Sequence, residues 1–141
     1  MEKAIMKLVV KKASRAGFPF FSAIAKGDKI IASSKGNGIR DPTAHAEMLA
    51  IQKALRKLKT NSLKGFTLYS TCESCPMCMG AIHWAGISEL VFGARLTDSR
   101  RFGFDEIIIP QVGATLKRRG VKINNDVMRK ECIGLFKSSR W

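Results

Sequence analysis

His45-Ala46-Glu47 is followed further along the chain by Cys75-Pro76-Met77-Cys78. One imidazole, one carboxylate and two thiols at that spacing are the parts of a catalytic zinc site. A structural zinc site closes all four tetrahedral positions with Cys or His, whereas three protein ligands leave the fourth for water. His45, Cys75 and Cys78 make three. Glu47, two residues from His45, can stand beside the metal without binding it, placed to take a proton from the zinc water and deliver it to a substrate. Zinc lowers the pKa of a bound water to about 7, so a hydroxide nucleophile exists near neutrality without a strong base.

Such residues need elements to hold them. Asp41-Pro42-Thr43 reads as a helix start, and Met48, Ile51, Leu55 and Leu58 recur at helical spacing behind His45 and Glu47, which predicts a helix over 43–59. Cys75 precedes Pro76, a residue favoured at the first helical position, and the three-residue step to Cys78 puts both sulfurs on one face of a helix over 76–85. A helix N-terminus and a cation both lower a thiol pKa, so the pair can bind as thiolates at neutral pH. In front of it, strand formers from Phe66 to Thr71 predict a strand over 66–70 that delivers the loop to the metal. The remaining pattern predicts helices over 2–15 and 125–137 and strands over 21–26, 29–33, 89–94 and 120–123. Gly17 can close the first helix, and Gly27-Asp28 marks a hairpin turn. Elements alternating in this way suit a sheet covered by helices.

With those residues in place, H-A-E followed by C-P-M-C resembles the cytidine-deaminase-like superfamily of zinc deaminases, whose signature is H-x-E and P-C-x-x-C. The likeness covers roughly residues 17–109. Asp41-Pro-Thr-Ala-His-Ala-Glu47 and Cys78-Met-Gly-Ala-Ile-His-Trp-Ala85 look most like the guanine deaminase and tRNA adenosine deaminase branch. Thr97-Asp98 and Gly103-Phe104-Asp105-Glu106 resemble guanine deaminases in particular, whereas Val91-Phe-Gly-Ala-Arg95 reads more like the tRNA enzymes. The resemblance implies a single deaminase domain over 1–141, an α/β fold built as a three-layer α-β-α sandwich around a five-stranded mixed sheet, Zn2+ as cofactor, and a homodimer. It also implies a second proton-carrying carboxylate at Glu106 with Asp105 beside it, a base-binding asparagine at Asn37, and Trp84 as an aromatic wall of the pocket. Two departures stand out: Ser74 replaces the proline that usually precedes the first ligand cysteine, and Glu106 replaces an aspartate.

Composition bounds these readings. A chain of 141 residues with 45% hydrophobic content suits one domain burying roughly two thirds of its unfolded surface. No stretch approaches the roughly 20 apolar residues of a membrane span, and Glu2, Lys3, Lys7, Lys11 and Lys12 make the start an amphipathic helix rather than a signal peptide, so the expected compartment is cytoplasmic. Four cysteines, three of them at positions 72, 75 and 78, suit a metal site better than a disulfide framework. Cys72 reads as a small buried hydrophobe, Cys132 as core with Met128 and Leu135 or Phe136, and His83 as packing or surface. Trp141 either closes a pocket or ends a frayed tail.

The net charge of +14 raises a polyanion partner, RNA above all. Its positives are dispersed, with Lys53, Arg56, Lys57 and Lys59 in the first motif helix and Lys117, Arg118 and Arg119 in a late turn. Solvated helix faces and an RNA surface both fit. The expected function is hydrolytic deamination of a purine base, guanine to xanthine and ammonia. The alternative is wobble-adenosine deamination in tRNA, and cytosine or another aminated heterocycle ranks third. An iron–sulfur protein lacks a nearby fourth cysteine, and a structural zinc module would leave Glu47 without a role.

Overall fold

A computed structural model describes residues 1–139, and the expectation for Trp141 lies outside them. Helix α1 (Glu2–Ala16) buries Ile5, Met6, Val9 and Ala13 and turns its lysines to solvent. Gly17 ends it at φ 67°, a left-handed conformation that a side chain would strain. The hairpin β1 (Phe21–Lys26) and β2 (Lys29–Lys35) turns at Gly27-Asp28 as expected. Then come α2 (Ala46–Leu58), β3 (Thr67–Cys72), α3 (Pro76–Ala85), β4 (Glu89–Ala94), α4 (Leu96–Arg101), α5 (Pro110–Arg118), β5 (Lys122–Asn124) and α6 (Arg129–Ser138).

The five strands form one mixed sheet in the order β2-β1-β3-β4-β5. β1 runs antiparallel to both β2 and β3, while β3, β4 and β5 are parallel. Each face of the sheet carries its own apolar core. On one, Met6, Val9, Ala23, Tyr69, Val91 and Phe136 join α1 and α6 to the strands. On the other, Ile24, Ala50, Leu68, Ile82, Leu90 and Leu116 join α2, α3 and α5. The expected α-β-α sandwich is therefore the observed architecture. Each fully buried aliphatic side chain of this kind contributes about 1.5–3 kcal/mol. Helix α6 lies close on β4 at Gly93, where a β-carbon would stand 2.3 Å from Cys132 Sγ.

Several expectations need correction. Helix α2 starts at Ala46 rather than near residue 43, because Asp41 Oδ1 accepts from the amide and hydroxyl of Thr43 and so caps a turn ahead of the helix. Its buried face runs through Ala46, Glu47, Ala50, Ile51 and Ala54, while Leu58 is exposed, since small alanines let the helix lie close on the sheet. Helices α4 and α5 were not anticipated. Both are short, and Leu96–Arg101 has no apolar stripe to announce it. The last strand is only Lys122–Asn124, and the last helix starts at Arg129, after Asp126 and Met128 adopt left-handed backbone.

Part of the positive charge has structural work. Lys53 Nζ donates to the Ser33 carbonyl at 3.2 Å and Lys57 Nζ to the Ile31 carbonyl at 3.1 Å. Both carbonyls belong to β2, the outermost strand on its side, and lysines over an edge blunt its capacity to pair with another chain. No helix among the described residues is long and apolar enough to cross a membrane.

Candidate active site

Two helix starts bring the motif residues together beyond the carboxyl ends of the parallel strands, the usual place for a ligand in such a sheet. His45 is the N-cap of α2 with extended backbone, φ −69° and ψ 155°. Cys75 is the N-cap of α3 in nearly the same conformation, with Pro76 starting the helix and Cys78 in its first turn. The extended backbone at both caps lets the His45 and Cys75 side chains meet. β3 delivers Cys75, and the turn between them is held by the Glu73 amide on the Ala94 carbonyl, 2.7 Å, and by Glu73 Oε1 accepting from the Leu96 amide, 3.0 Å.

His45 Nδ1 lies 3.5 Å from Cys75 Sγ and 3.5 Å from Cys78 Sγ. The three donor atoms fall within 4.8 Å of one another, a group that can hold a metal ion. Nitrogen and two sulfurs suit zinc, and three donors leave a position open. The hydrogen bond from Cys78 and the nearby His45 bring the Cys75 thiol down to about 4, while Cys78, which gives that hydrogen bond, is pushed up. His45 is raised, chiefly by its hydrogen bond to Cys75. The cluster thus carries a thiolate before any metal arrives, at the positive ends of two helices. Cys72 is buried, its Sγ directed to the Arg95 carbonyl at 3.7 Å, and is no fourth member, as expected.

Glu47 is 6% exposed, and burial pushes its carboxyl up to about 7. Such a carboxyl can both accept and return a proton near neutrality. Ser74 lies beside it, buried, and its side chain partly offsets that rise. The Cys75 thiol, the His45 imidazole and Glu47 border a cavity of about 460 Å³, a size suited to a small aromatic ligand. Phe18, Phe20, Phe104, Ile39 and Leu96 supply apolar walls. Asp105 and Glu106 form part of the lining. Burial raises the Glu106 carboxyl, and the charges of Cys75 and His45 reach it. Its Oε2 accepts from Ser99 Oγ at 2.7 Å, and its carbonyl accepts from Arg100 Nη2 at 2.8 Å.

The structure therefore gathers His45, Cys75, Cys78, Glu47, Asp105 and Glu106 around one site. It does not bring Trp84 there. α3 turns Cys78, Met79, Ile82 and Ala85 inward, which leaves Trp84 83% exposed, its ring edge-on to His83 and outside the cavity lining. Asn37 is exposed on the rim, between Gly36 and Gly38, which do line the cavity. Its backbone organises the loop, with the Asn37 amide on the Ala44 carbonyl at 2.8 Å. Sequence reading missed the aromatic walls, although Phe18-Pro19-Phe20 was a visible signal, and it missed Glu73 and Ser99, for which nothing local pointed the way.

The cytidine and deoxycytidylate deaminase zinc-binding region matches residues 1–94. A guanine deaminase of Bacillus subtilis (strain 168) is 44% identical over 95 residues, 66% of this chain and 61% of its own length. The chain thus spans about three fifths of that relative. A tRNA-specific adenosine deaminase of Buchnera aphidicola is 34% identical across 96% of this chain and 94% of its own length. A solved structure in complex with 8-azaguanine superposes with a TM-score of 0.89 at 30% identity, covering 97% of this chain and 84% of that one. Sequence match, sheet and donor set agree that this chain belongs to the family carrying the cytidine and deoxycytidylate deaminase zinc-binding region.

Proposed function

We propose that this protein is a zinc-dependent aminohydrolase that removes the exocyclic amine of a purine base, with guanine as substrate and xanthine and ammonia as products. The observation that carries the proposal is the convergence of His45, Cys75 and Cys78 with the buried Glu47 at one side of a cavity bordered by Glu106. His45, Cys75 and Cys78 would hold the ion. Zinc, when bound, acidifies a water and so supplies the nucleophile. Glu47 takes the proton from that water and hands it to the ring nitrogen next to the attacked carbon, C2 in guanine. The carbon–nitrogen bond then breaks as Glu106 takes the remaining proton of the added hydroxyl and gives it to the departing amine, which leaves as ammonia and leaves a carbonyl at C2. Phe18, Phe20 and Phe104 offer faces and edges for a flat base. The 8-azaguanine bound in a structurally similar protein supports a purine ligand.

Two observations favour tRNA adenosine as the second reading: the likeness to a tRNA-specific adenosine deaminase along nearly the whole chain, and the net charge of +14. Lys53 and Lys57, occupied with β2, weaken the second of these. Four cysteines without a disulfide among the described residues fit a reducing, cytoplasmic setting. Exposed Trp84 and Met77 on one side of α3 support a homodimer, in which a second copy would cover them. The experiment is ammonia release from guanine, guanosine, adenine, cytosine and a tRNA anticodon arm, side by side. Release from guanine is expected. Release from the anticodon arm alone replaces the first reading by the second.

A further inference from the structure

We infer that Ser99 is a positioning residue, which fixes the carboxylate of Glu106 so that one oxygen is held by the protein and the other faces the substrate. The inference rests on the proposed role of Glu106 as the second proton carrier. Ser99 lies on α4, is fully buried and is absent from the cavity lining, so it touches no ligand itself. A serine within a helix ordinarily returns its hydroxyl to the carbonyl one turn back. Here Oγ instead donates to Glu106 Oε2 at 2.7 Å, across seven residues. That hydrogen bond is supplied to a half-buried carboxylate whose burial already disfavours its charge.

The platform behind Ser99 is rigid. Asp98, next to it, takes both hydrogen bonds of the Arg129 guanidinium, at 2.9 and 2.8 Å, and a third from the Arg95 amide at 2.8 Å. The Ser99 carbonyl accepts from Phe102 at 3.0 Å and from Phe104 at 3.4 Å, and Arg100 Nη2 holds the Glu106 carbonyl. The segment leading to Glu106 is thus tied to α4 through backbone and side chain. Glutamate has one more rotatable bond than aspartate, so its carboxylate sweeps a wider volume, and a single fixed donor removes that freedom. A carboxylate displaced by about 1 Å costs up to about 100-fold in rate.

The test compares wild type, Ser99→Ala, Ser99→Cys, Glu106→Gln and the double variant Ser99→Ala with Glu106→Gln. Each is assayed by ammonia release from guanine and from the anticodon arm, by calorimetric binding of 8-azaguanine, by zinc content and by thermal melting. Ser99→Cys keeps the volume with a weak donor, so it serves if the alanine variant folds poorly. The expected result is a fall in kcat of about 10-fold to 100-fold in both Ser99 variants. KM, 8-azaguanine affinity and zinc content should stay within twofold of wild type, with no further fall when Ser99→Ala is added to Glu106→Gln. Impaired Glu106→Gln beside Ser99 variants of normal kcat would overturn this inference alone, as would a loss in the double variant equal to the product of the single losses. Normal turnover by Glu106→Gln would remove the proton-carrier role and this inference with it.

Discussion

His45 Nδ1 stands 3.5 Å from Cys75 Sγ, near enough for a positive imidazole and a negative thiolate to stabilise each other. Cys75 is brought down to about 4 and His45 is raised, so in the metal-free protein each group favours the charged form of the other. A metal entering this pair displaces the proton from His45 and the one shared by Cys78, which makes binding release protons. Chelation should therefore abolish turnover and expose one unusually reactive thiol. Brief alkylation at pH 6 followed by mass mapping is expected to mark Cys75 in the metal-free protein, while burial spares Cys72 and Cys132. Zinc should protect Cys75. Equal labelling of all four cysteines would contradict that mutual stabilisation.

Glu47→Gln keeps the shape of the side chain and removes its proton chemistry. Turnover should fall by about 10²–10⁴-fold with zinc content unchanged. A module that merely bound its ligand would show no such loss.

The same carboxyl has a cost that the metal-free protein reveals. Its folded pKa, about 7, lies above the ordinary glutamate value because burial disfavours the charge. Folding therefore favours the protonated form: the stability is intact below about pH 4.5, declines as pH rises, and levels off above about pH 7. The full difference amounts to about 2–4 kcal/mol. Metal-free Glu47→Gln is expected to melt like wild type at pH 4.5 and higher than wild type at pH 8. Parallel melting curves across that range would show that Glu47 is not desolvated.

The metal donors and Glu47 were legible because their chemistry depends on short spacings within two helix starts, which sequence records directly. The strand over 89–94 was legible for a similar reason, since Leu90 and Val91 lie in an apolar run after Gly86. Trp84 falls outside the cavity of its own chain because α3 spends its inward face on Cys78, Met79 and Ile82, and a resemblance carries a side chain's identity but not the rotation of its helix. Ser99 was invisible for another reason. Its partner lies seven residues away, beyond Phe102-Gly103, and only the fold of that turn brings hydroxyl and carboxylate into contact. The face of α2 was misread because alanines, weak in any periodicity count, are what permit its close packing.

Gly93 illustrates a constraint of pure shape. A β-carbon there would meet Cys132 Sγ at 2.3 Å, Cys132 Cβ at 2.9 Å and the Val127 carbonyl at 2.9 Å. Gly93→Ala should destabilise the fold by about 1–3 kcal/mol through overpacking between β4 and α6. Adding Cys132→Ala removes the sulfur but leaves the other two contacts, so the double variant is expected to recover part of the loss. Denaturant unfolding measures both, and full recovery would mean that the backbone at Val127 yields freely.

Asp98 ties α4 to α6 through a carboxylate only 1% exposed, facing an Arg129 side chain that is 37% exposed. Breaking a wholly buried pair costs about 3–5 kcal/mol, and solvent screening at the arginine end reduces the figure expected for Asp98→Asn to about 2 kcal/mol. The Arg129 guanidinium also holds the Asp98 carboxyl below its ordinary value. A depressed folded pKa contributes stability above the unfolded value near 3.9 and loses it as pH falls through the folded one. The stability gap between wild type and Asp98→Asn should therefore be constant from pH 6 to 8 and close below about pH 4. Because α4 also carries Ser99, Asp98→Asn should lower kcat as well as melting temperature. A variant that loses stability while its turnover at 20 °C stays at the wild-type level would separate the Asp98 anchor from the carboxylate that Ser99 holds.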